Sequence, residues 1–164
     1  MGLWGQAMVR VKQFYRALTA KIEPADRDFL QKYLGEQERA LFYQMDPIDQ
    51  RHCLDVAQHA YRIATARGLG PKRATLVKAA LLHDIGKIRG ETTLLTRVAY
   101  VLRRRSIERR SGAKTRILSG HAERGAHMAE TFGIDPEIVE LIRDHHKQPT
   151  SKLAALLHEA DSMF

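Results

Sequence analysis

The chain has 164 residues, of which 44% are hydrophobic, so its length and composition suit one domain with a single buried core. Its only cysteine, Cys53, excludes an internal disulfide and favours a reducing compartment, so we expect a cytoplasmic protein. The first eleven residues contain neither the apolar run of a signal peptide nor part of a span of about 20 apolar residues, so we expect neither secretion nor membrane anchoring.

The net charge of +8 is concentrated in one segment of the chain. Between Arg103 and Arg116, seven basic residues accompany the single acid Glu108, so this segment carries +6 and the rest of the chain +2. Such a segment is either a solvated surface or an attachment site for a polyanion such as a nucleotide or RNA. It contains no interleaved aromatic residue and therefore does not predict a base-stacking platform.

Apolar residues repeat at three- and four-residue spacing over most of the chain, without strand-like alternation, which predicts an all-α, single-domain bundle of about seven or eight helices. Proline, aspartate and serine mark the helix starts, and glycine marks several ends. In chain order the predicted helices are Val9–Leu18, Pro24–Tyr43, Pro47–Arg67, Pro71–Leu82, Thr93–Arg104, His121–Phe132 after Gly120, Pro136–Ile142 and Leu153–Ser162.

The segment from Leu81 to Lys87, LLHDIGK, carries the strongest chemical signal. It follows a helix that is apolar on every side and should lie at the centre of the domain. His83 and Asp84 end this buried run, and burying an unpaired ion costs several kcal/mol, which metal coordination can offset. Gly86 would let the chain turn away from such a site.

Further candidate ligands occur on other predicted helices, which a helical bundle can bring together. They are His52, His121, His145, His146 and Asp161. A set of imidazoles and carboxylates suits Mn, Fe, Zn, Ni or Co. Three other histidines, His59, His127 and His158, are interpreted as surface or satisfied core residues. Asp161 lies only three residues from the end of the sequence, and His158 is the substitute ligand if Asp161 does not bind the metal.

The order His, His-Asp within HDIGK, His, His-His and Asp resembles the HD superfamily of metal-dependent phosphohydrolases, from about Asp46 to Asp161. The resemblance implies an HD domain over residues 46–164, with N-terminal helices of unknown role in residues 1–45 packed on it. It also implies two sets of metal ligands. His52, His83, Asp84 and Asp161 would form the primary site, and His121, His145 and His146 would add a second metal, with Asp84 as the bridging ligand.

The resemblance implies a metal-dependent phosphohydrolase acting on a phosphoester or phosphoanhydride of a nucleotide or related substrate. Lys-Gln-Pro follows His146, rather than the Gly-Tyr-Pro of the cyclic di-GMP phosphodiesterase branch, so that branch is not supported. The segments HAERGA and IRDHH resemble, less specifically, small HD proteins that cleave diadenosine tetraphosphate. The predicted catalytic residues are Asp84 and Lys87, and the predicted phosphate contacts are Lys87, Arg124, Arg103, Arg104 and Arg105.

Three interpretations fit the sequence. The domain is either catalytic or a signalling module that binds metal without turnover. A third interpretation is an RNA-associated factor that binds phosphates through residues 103–116. In the other two interpretations this segment would cover the site as a lid or form a solvated surface. The pattern leaves the substrate, the number of metal ions and the oligomeric state undetermined.

Overall fold

The computed structural model describes residues 21–90 and 113–164, with side chains from residue 120 onward in the second range. Seven helices lie in these ranges: α1 (Pro24–Tyr33), α2 (Glu36–Tyr43), α3 (Pro47–Ala66), α4 (Lys72–Leu82), α5 (Ala113–Thr131), α6 (Pro136–Asp144) and α7 (Lys152–Asp161). Within them no strand forms, and the all-α prediction is confirmed. None of these helices is long and apolar enough to cross a bilayer. The predicted helices Val9–Leu18 and Thr93–Arg104, with Arg105, lie outside the described residues.

Side chains next to the helix ends satisfy backbone groups that the helices leave unpaired. The carboxylate of Asp135 accepts a hydrogen bond from the backbone N–H of Glu137 at the start of α6. The hydroxyl of Ser151 accepts one from the N–H of Ala154 at the start of α7. After α3, Gly68 adopts a left-handed conformation (φ 64°), which ends the helix as the sequence predicts.

The prediction of one helix over Pro24–Tyr43 is wrong, because Leu34 and Gly35 interrupt the helix and divide it into α1 and α2. Leu34 is extended and only 2% exposed, so the break turns its side chain into the core. Glu38 accepts a hydrogen bond from the N–H of Gly35 (2.7 Å), and Arg39 donates to the carbonyl of Leu34 (2.6 Å). These two bonds stabilise the restart of the helix as α2.

The predicted start of α5 directly after Gly120, at His121, is also wrong, because the helix begins eight residues earlier, at Ala113. A glycine inside a helix costs about 1 kcal/mol relative to alanine and does not by itself end one. Lys114 and Arg116, which belong to the basic segment between Arg103 and Arg116, therefore lie in the first turns of α5.

Helix α4 lies at the centre of the bundle and contacts α1, α2, α3, α6 and α7. Its segment Ala79–Leu82 is fully buried, in agreement with its apolar sequence. Leu30, Leu41 and Phe42 from the first two helices are fully buried in the same core. Because α4 is surrounded, its C-terminal end and the HDIGK turn after it emerge among the ends of several other helices.

A close backbone contact holds the HDIGK turn against α5. A Cβ added to Gly86 would overlap the carbonyl oxygen of His121 and lie 2.8 Å from the nitrogen of Gly125. A Cβ at Gly125 would in turn lie 3.1 Å from the nitrogen of Gly86. Arg124 donates a hydrogen bond to the carbonyl of Gly86 and reinforces this contact. Only glycine at position 86 allows α5 to approach this closely.

The opposite side of the turn is held by the connection between α2 and α3. Met45 and Ile88 form a single antiparallel bridge, and the N–H of Arg89 donates to the carbonyl of Gln44 (2.8 Å). Gln50 on α3 donates to the carbonyl of Met45 (2.8 Å) and fixes this connection. The turn that carries Asp84 is thus fixed from two directions.

We expect Gly86→Ala to destabilise the fold by about 3 kcal/mol, because the added methyl group would meet backbone atoms that cannot rotate away. Gly120→Ala is the matched control: its Cβ meets no atom within 4 Å, so it should change stability by no more than about 1 kcal/mol, in the stabilising direction. Urea unfolding at unchanged m-value measures both. Equal stability of the two variants would contradict the close contact.

Candidate metal centre

The structure brings all seven predicted metal ligands together from five helix ends or helix faces. Position 52 lies in the second turn of α3, positions 83 and 84 directly follow α4, and position 121 lies within α5. Positions 145 and 146 directly follow α6, and position 161 is the last residue of α7. The residues are His52, His83, Asp84, His121, His145, His146 and Asp161. They form two clusters that meet at one carboxylate.

The first cluster consists of His52, His83 and Asp161, whose potential ligand atoms lie within 4.8 Å of one another. Oδ1 of Asp161 lies 3.0 Å from Nε2 of His52 and 3.6 Å from Nε2 of His83. The two imidazole rings are 5.3 Å apart between centroids. Two ring nitrogens and one carboxylate oxygen thus face a common point.

The second cluster consists of His121, His145 and His146, which satisfy the same distance limit. Nε2 of His121 lies 3.3 Å from Nε2 of His145 and 3.1 Å from Nε2 of His146. All three rings therefore turn the same type of nitrogen toward a common point. At this distance, two ring nitrogens that both present a lone pair repel each other unless a proton or a cation lies between them.

Asp84 lies between the two clusters and turns one carboxylate oxygen to each. Oδ2 lies 3.9 Å from Nε2 of His52 and 3.6 Å from Nε2 of His83. Oδ1 lies 3.1 Å from Nε2 of His121 and 3.9 Å from Nε2 of His145. Oδ1 is buried and accepts no hydrogen bond of standard geometry within the described part of the chain, and the imidazole of His121 lies at ion-pair distance from it.

Backbone carbonyls fix the orientation of two buried rings. Nδ1 of His83 lies 2.8 Å from the carbonyl oxygen of Ala80, and Nδ1 of His145 lies 2.6 Å from that of Ile142. A carbonyl can only accept, so each Nδ1 carries the proton and each Nε2 keeps its lone pair when the ring is neutral. This outer hydrogen bond is the usual support of a metal-binding histidine.

Desolvation lowers the pKa of three of these imidazoles and so favours their neutral forms. It lowers the pKa of His83 and outweighs the opposite effect of Asp84. Burial and the neighbouring His83 hold the pKa of His145 well below its ordinary value. The ring of His146 packs against the other two rings of its cluster, and this desolvation, with the field of His121, lowers its pKa to about 4. Neutral imidazole is the form that binds metal.

The remaining charged groups stabilise one another. Burial disfavours the anion of Asp84, but the neighbouring ammonium of Lys87, assisted by the imidazole of His83, holds its pKa well below the usual range. Burial likewise opposes ionisation of Asp161, but a hydrogen bond with His52 lowers its pKa. Burial alone would lower the pKa of His52, but the same hydrogen bond, together with the charges of Asp84 and Asp161, raises it. Lys87, although desolvated, has a raised pKa because of Asp84.

The spacing of the donor atoms in the second cluster fits a transition-metal ion. An ion about 2.0–2.1 Å from each ring nitrogen separates its ligand atoms by roughly 3.0–3.4 Å in tetrahedral or octahedral geometry. The separations between His121 and its two partners, 3.1 and 3.3 Å, lie in this range. The buried Oδ1 of Asp84 supplies the oxygen that such an ion would need to complete its coordination.

Two contacts fix the last turn of α7, which carries Asp161. The ring of Phe164 packs edge-on against His59 of α3 at 6.0 Å between centroids. Glu159 accepts two hydrogen bonds from Arg67 (2.8 and 2.9 Å) at the end of α3. Because α3 also carries His52, these contacts join the two helices that contribute to the first cluster.

The site has a closed floor and an open rim. His83, Asp84, His121 and His145 are buried and form the floor. The rim consists of partly exposed side chains: His52 (28%), Asp161 (22%) and Lys87 (20%), together with the exposed residue His146. Among the residues that the structure describes, the rim is therefore the side from which a ligand can reach the clusters.

Two buried residues at the site were not singled out from the sequence, although both lie within one helical turn of His52. Sγ of Cys53 lies 3.7 Å from Nδ1 of His83, and Asp49 is 6% exposed. The thiol is a poor metal ligand here, because burial raises its pKa well above the ordinary value. It also faces the nitrogen of His83 that is engaged by Ala80. Asp49 contributes a second negative field near Lys87.

The other predicted site residues are distributed as follows. Nζ of Lys87 lies 2.6 Å from Oδ2 of Asp84, and Arg124 donates to the carbonyl of Gly86. His127 and His158 are exposed and His59 packs on Phe164, so none of the three belongs to either cluster. The predicted phosphate contacts Arg103, Arg104 and Arg105 lie outside the described residues.

Comparison with known proteins shows the family of the chain. The family described as HD domain matches residues 50–163, which include every member of the two clusters and the shared carboxylate. The chain belongs to the HD domain family. No solved structure matches it significantly.

Among curated proteins, the chain is similar to several named Ribonuclease Y. It is 30% identical to the protein of Geobacter sulfurreducens over 115 residues, which are 69% of this chain and 17% of that protein. It is 30% identical to the protein of Mycoplasma mycoides over 114 residues, which are 68% of this chain and 21% of that one. The match thus spans only about a fifth of the length of these relatives.

In metal-free protein at pH 6.5, the ordinary imidazole pKa, we expect His83 and His145 to be neutral, because burial lowers both pKa values. We expect both rings to carry their proton on Nδ1, because backbone carbonyls accept a hydrogen bond there. Long-range ¹H–¹⁵N NMR spectra distinguish the tautomers directly. His127, whose side chain is 81% exposed, serves as the internal reference. Imidazolium signals from His83 or His145 at this pH would contradict the buried geometry.

Proposed function

We propose that the protein is a metal-dependent phosphohydrolase that cleaves phosphoester bonds in nucleotide-containing substrates, RNA among them. The observation that carries the proposal is the buried carboxylate of Asp84, which turns one oxygen to each of two histidine clusters. Membership of the HD domain family supports the reaction class. The similarity to proteins named Ribonuclease Y supports RNA as a substrate to be tested.

In this proposal the two clusters hold two divalent ions of Mn, Fe, Ni, Co or Zn. His52, His83, Asp161 and Oδ2 of Asp84 would hold one, and the second histidine cluster with Oδ1 of Asp84 would hold the other. A divalent ion supplies Lewis-acid activation of water and neutralises charge on phosphoryl oxygens.

The side chains themselves position the reactants. The buried floor keeps solvent away from one side of the clusters, so a phosphate group enters from the rim formed by His52, Asp161, His146 and Lys87. Lys87 is the rim residue with a permanent positive charge and is suited to bind a non-bridging phosphoryl oxygen. The catalytic pair of the proposal is Asp84, which orients the centre, and Lys87, which binds the phosphate.

Arg124 is part of the same proposal in a supporting role. Its guanidinium donates to the carbonyl of Gly86, two residues beyond Asp84, and so holds the turn that carries the shared carboxylate. Contact between Arg124 and substrate phosphate, predicted from the sequence, stays a prediction. The same holds for the arginines at 103–105.

The first test combines elemental analysis with hydrolysis of bis-p-nitrophenyl phosphate by metal-loaded protein. We expect bound transition metal and turnover in the wild type, and a loss of turnover on the order of 100-fold or more in His83→Ala, because this variant removes a ligand from the floor. His127→Ala is the matched control, since its exposed imidazole belongs to neither cluster. Wild-type protein that binds metal without turnover on any substrate would contradict the catalytic proposal and favour a metal-binding signalling module.

The second test identifies the substrate class. We expect 5′-labelled single-stranded RNA to be cleaved faster than the same concentration of mononucleotides or dinucleoside polyphosphates, in line with the relatives' name. Cleavage should disappear in His83→Ala and persist in His127→Ala, which excludes a contaminating nuclease. Turnover confined to small nucleotides would remove RNA from the proposal and leave the phosphohydrolase reaction intact.

A further inference from the structure

Lys87 forms the shortest charged contact of the centre. Its Nζ lies 2.6 Å from Oδ2 of Asp84, and the carboxylate is only 1% exposed. Oδ2 is also the oxygen of Asp84 that faces His52 and His83, at 3.9 and 3.6 Å. The ammonium therefore contacts the same oxygen that the first cluster would offer to a metal ion.

The two oxygens of Asp84 differ in this respect. Oδ1, which faces His121 and His145, accepts no hydrogen bond in the described part of the chain. Oδ2 already has the cationic partner Lys87. The second cluster is consequently ready to receive an ion, whereas the first shares its carboxylate oxygen with an internal cation.

A divalent ion at the first cluster and the ammonium at Oδ2 would repel each other strongly, because both are cations near one poorly solvated oxygen. The metal brings the larger charge and three further ligands, so it is the ammonium that must move. Lys87 can do so, since its side chain is 20% exposed at the rim. Asp49 is a second negative charge whose field acts on Lys87.

We propose that Lys87 is an internal cation that occupies Oδ2 of Asp84 in the metal-free protein and is displaced when a divalent ion enters the cluster of His52, His83 and Asp161. This inference rests on the proposed function, in which both clusters bind metal. It implies that the second cluster fills first and more tightly. It also makes the phosphate-binding charge of Lys87 available only after the first cluster is loaded.

The chain contains a matched control for this ion pair. Asp144 and Lys147 have the same three-residue spacing and the same 2.6 Å separation, next to His145 and His146. This second pair is exposed, with Lys147 at 63%, and belongs to neither cluster. Lys147→Met therefore removes the same charge near the centre without removing a cation from Asp84.

The experiment measures Mn²⁺ binding to metal-free wild type, Lys87→Met and Lys147→Met by electron paramagnetic resonance of free Mn²⁺. We expect two classes of site in the wild type. In Lys87→Met the weaker class should tighten by about tenfold or more while the tighter class changes little, because only the first cluster loses its competitor. Lys147→Met should bind as the wild type does.

Thermal unfolding supplies a readout that a merely structural lysine would not give. Without Mn²⁺, Lys87→Met should unfold at a lower temperature than the wild type, because the buried charge of Asp84 loses its partner. Saturating Mn²⁺ should remove most of this difference. An equal loss of melting temperature with and without Mn²⁺ would indicate a structural role alone and overturn the proposal.

A measurement on the wild type covers the case in which Lys87→Met fails to fold. In protein labelled with ¹⁵N-lysine, the Nζ resonance of Lys87 should move when diamagnetic Zn²⁺ fills both clusters, while that of Lys147 stays in place. An unmoved resonance at saturation would overturn the displacement of Lys87 and leave the proposed function standing. Absence of Mn²⁺ and Zn²⁺ binding in the wild type would instead overturn both.

Discussion

The structure depends on the burial of one negative charge, the carboxylate of Asp84. A carboxylate that is 1% exposed is stable only when its surroundings supply cations or hydrogen bonds. Here Lys87 contacts one oxygen, and imidazoles approach both oxygens from two sides. The helices that carry those imidazoles must therefore converge on the end of α4, and this requirement governs how α3, α5, α6 and α7 are arranged around it.

Glycine makes this convergence geometrically feasible. The backbone of the HDIGK turn lies against the backbone of α5, and the contact leaves no space for a side chain at Gly86 and little at Gly125. The same contact brings His121, one turn before Gly125, next to Asp84. Two small residues on separate segments thus set the distance between the shared carboxylate and the second cluster.

The two clusters depend on different parts of the bundle. The first joins α3, the end of α4 and α7, and the contacts of Phe164 with His59 and of Arg67 with Glu159 hold α3 and α7 together. The second joins α5 and the end of α6, which pack on each other. Asp84 is the residue common to both, so its position couples the two clusters. The ion pair with Lys87 makes the clusters unequal, because it lies on one side of the carboxylate only.

The sequence alone predicted the all-α class and most helix starts, because helix periodicity and capping residues are local signals. A polar pair after an apolar helix indicated His83 and Asp84, and the resemblance to the HD superfamily implied the full set of seven candidate ligands. The sequence did not predict the break at Leu34, which depends on burying that side chain in the core, or the start of α5 at Ala113. Only the tertiary structure decided which oxygen of Asp84 faces which cluster and that Lys87 contacts Oδ2. Those features depend on distances between side chains far apart in sequence, which no local pattern encodes.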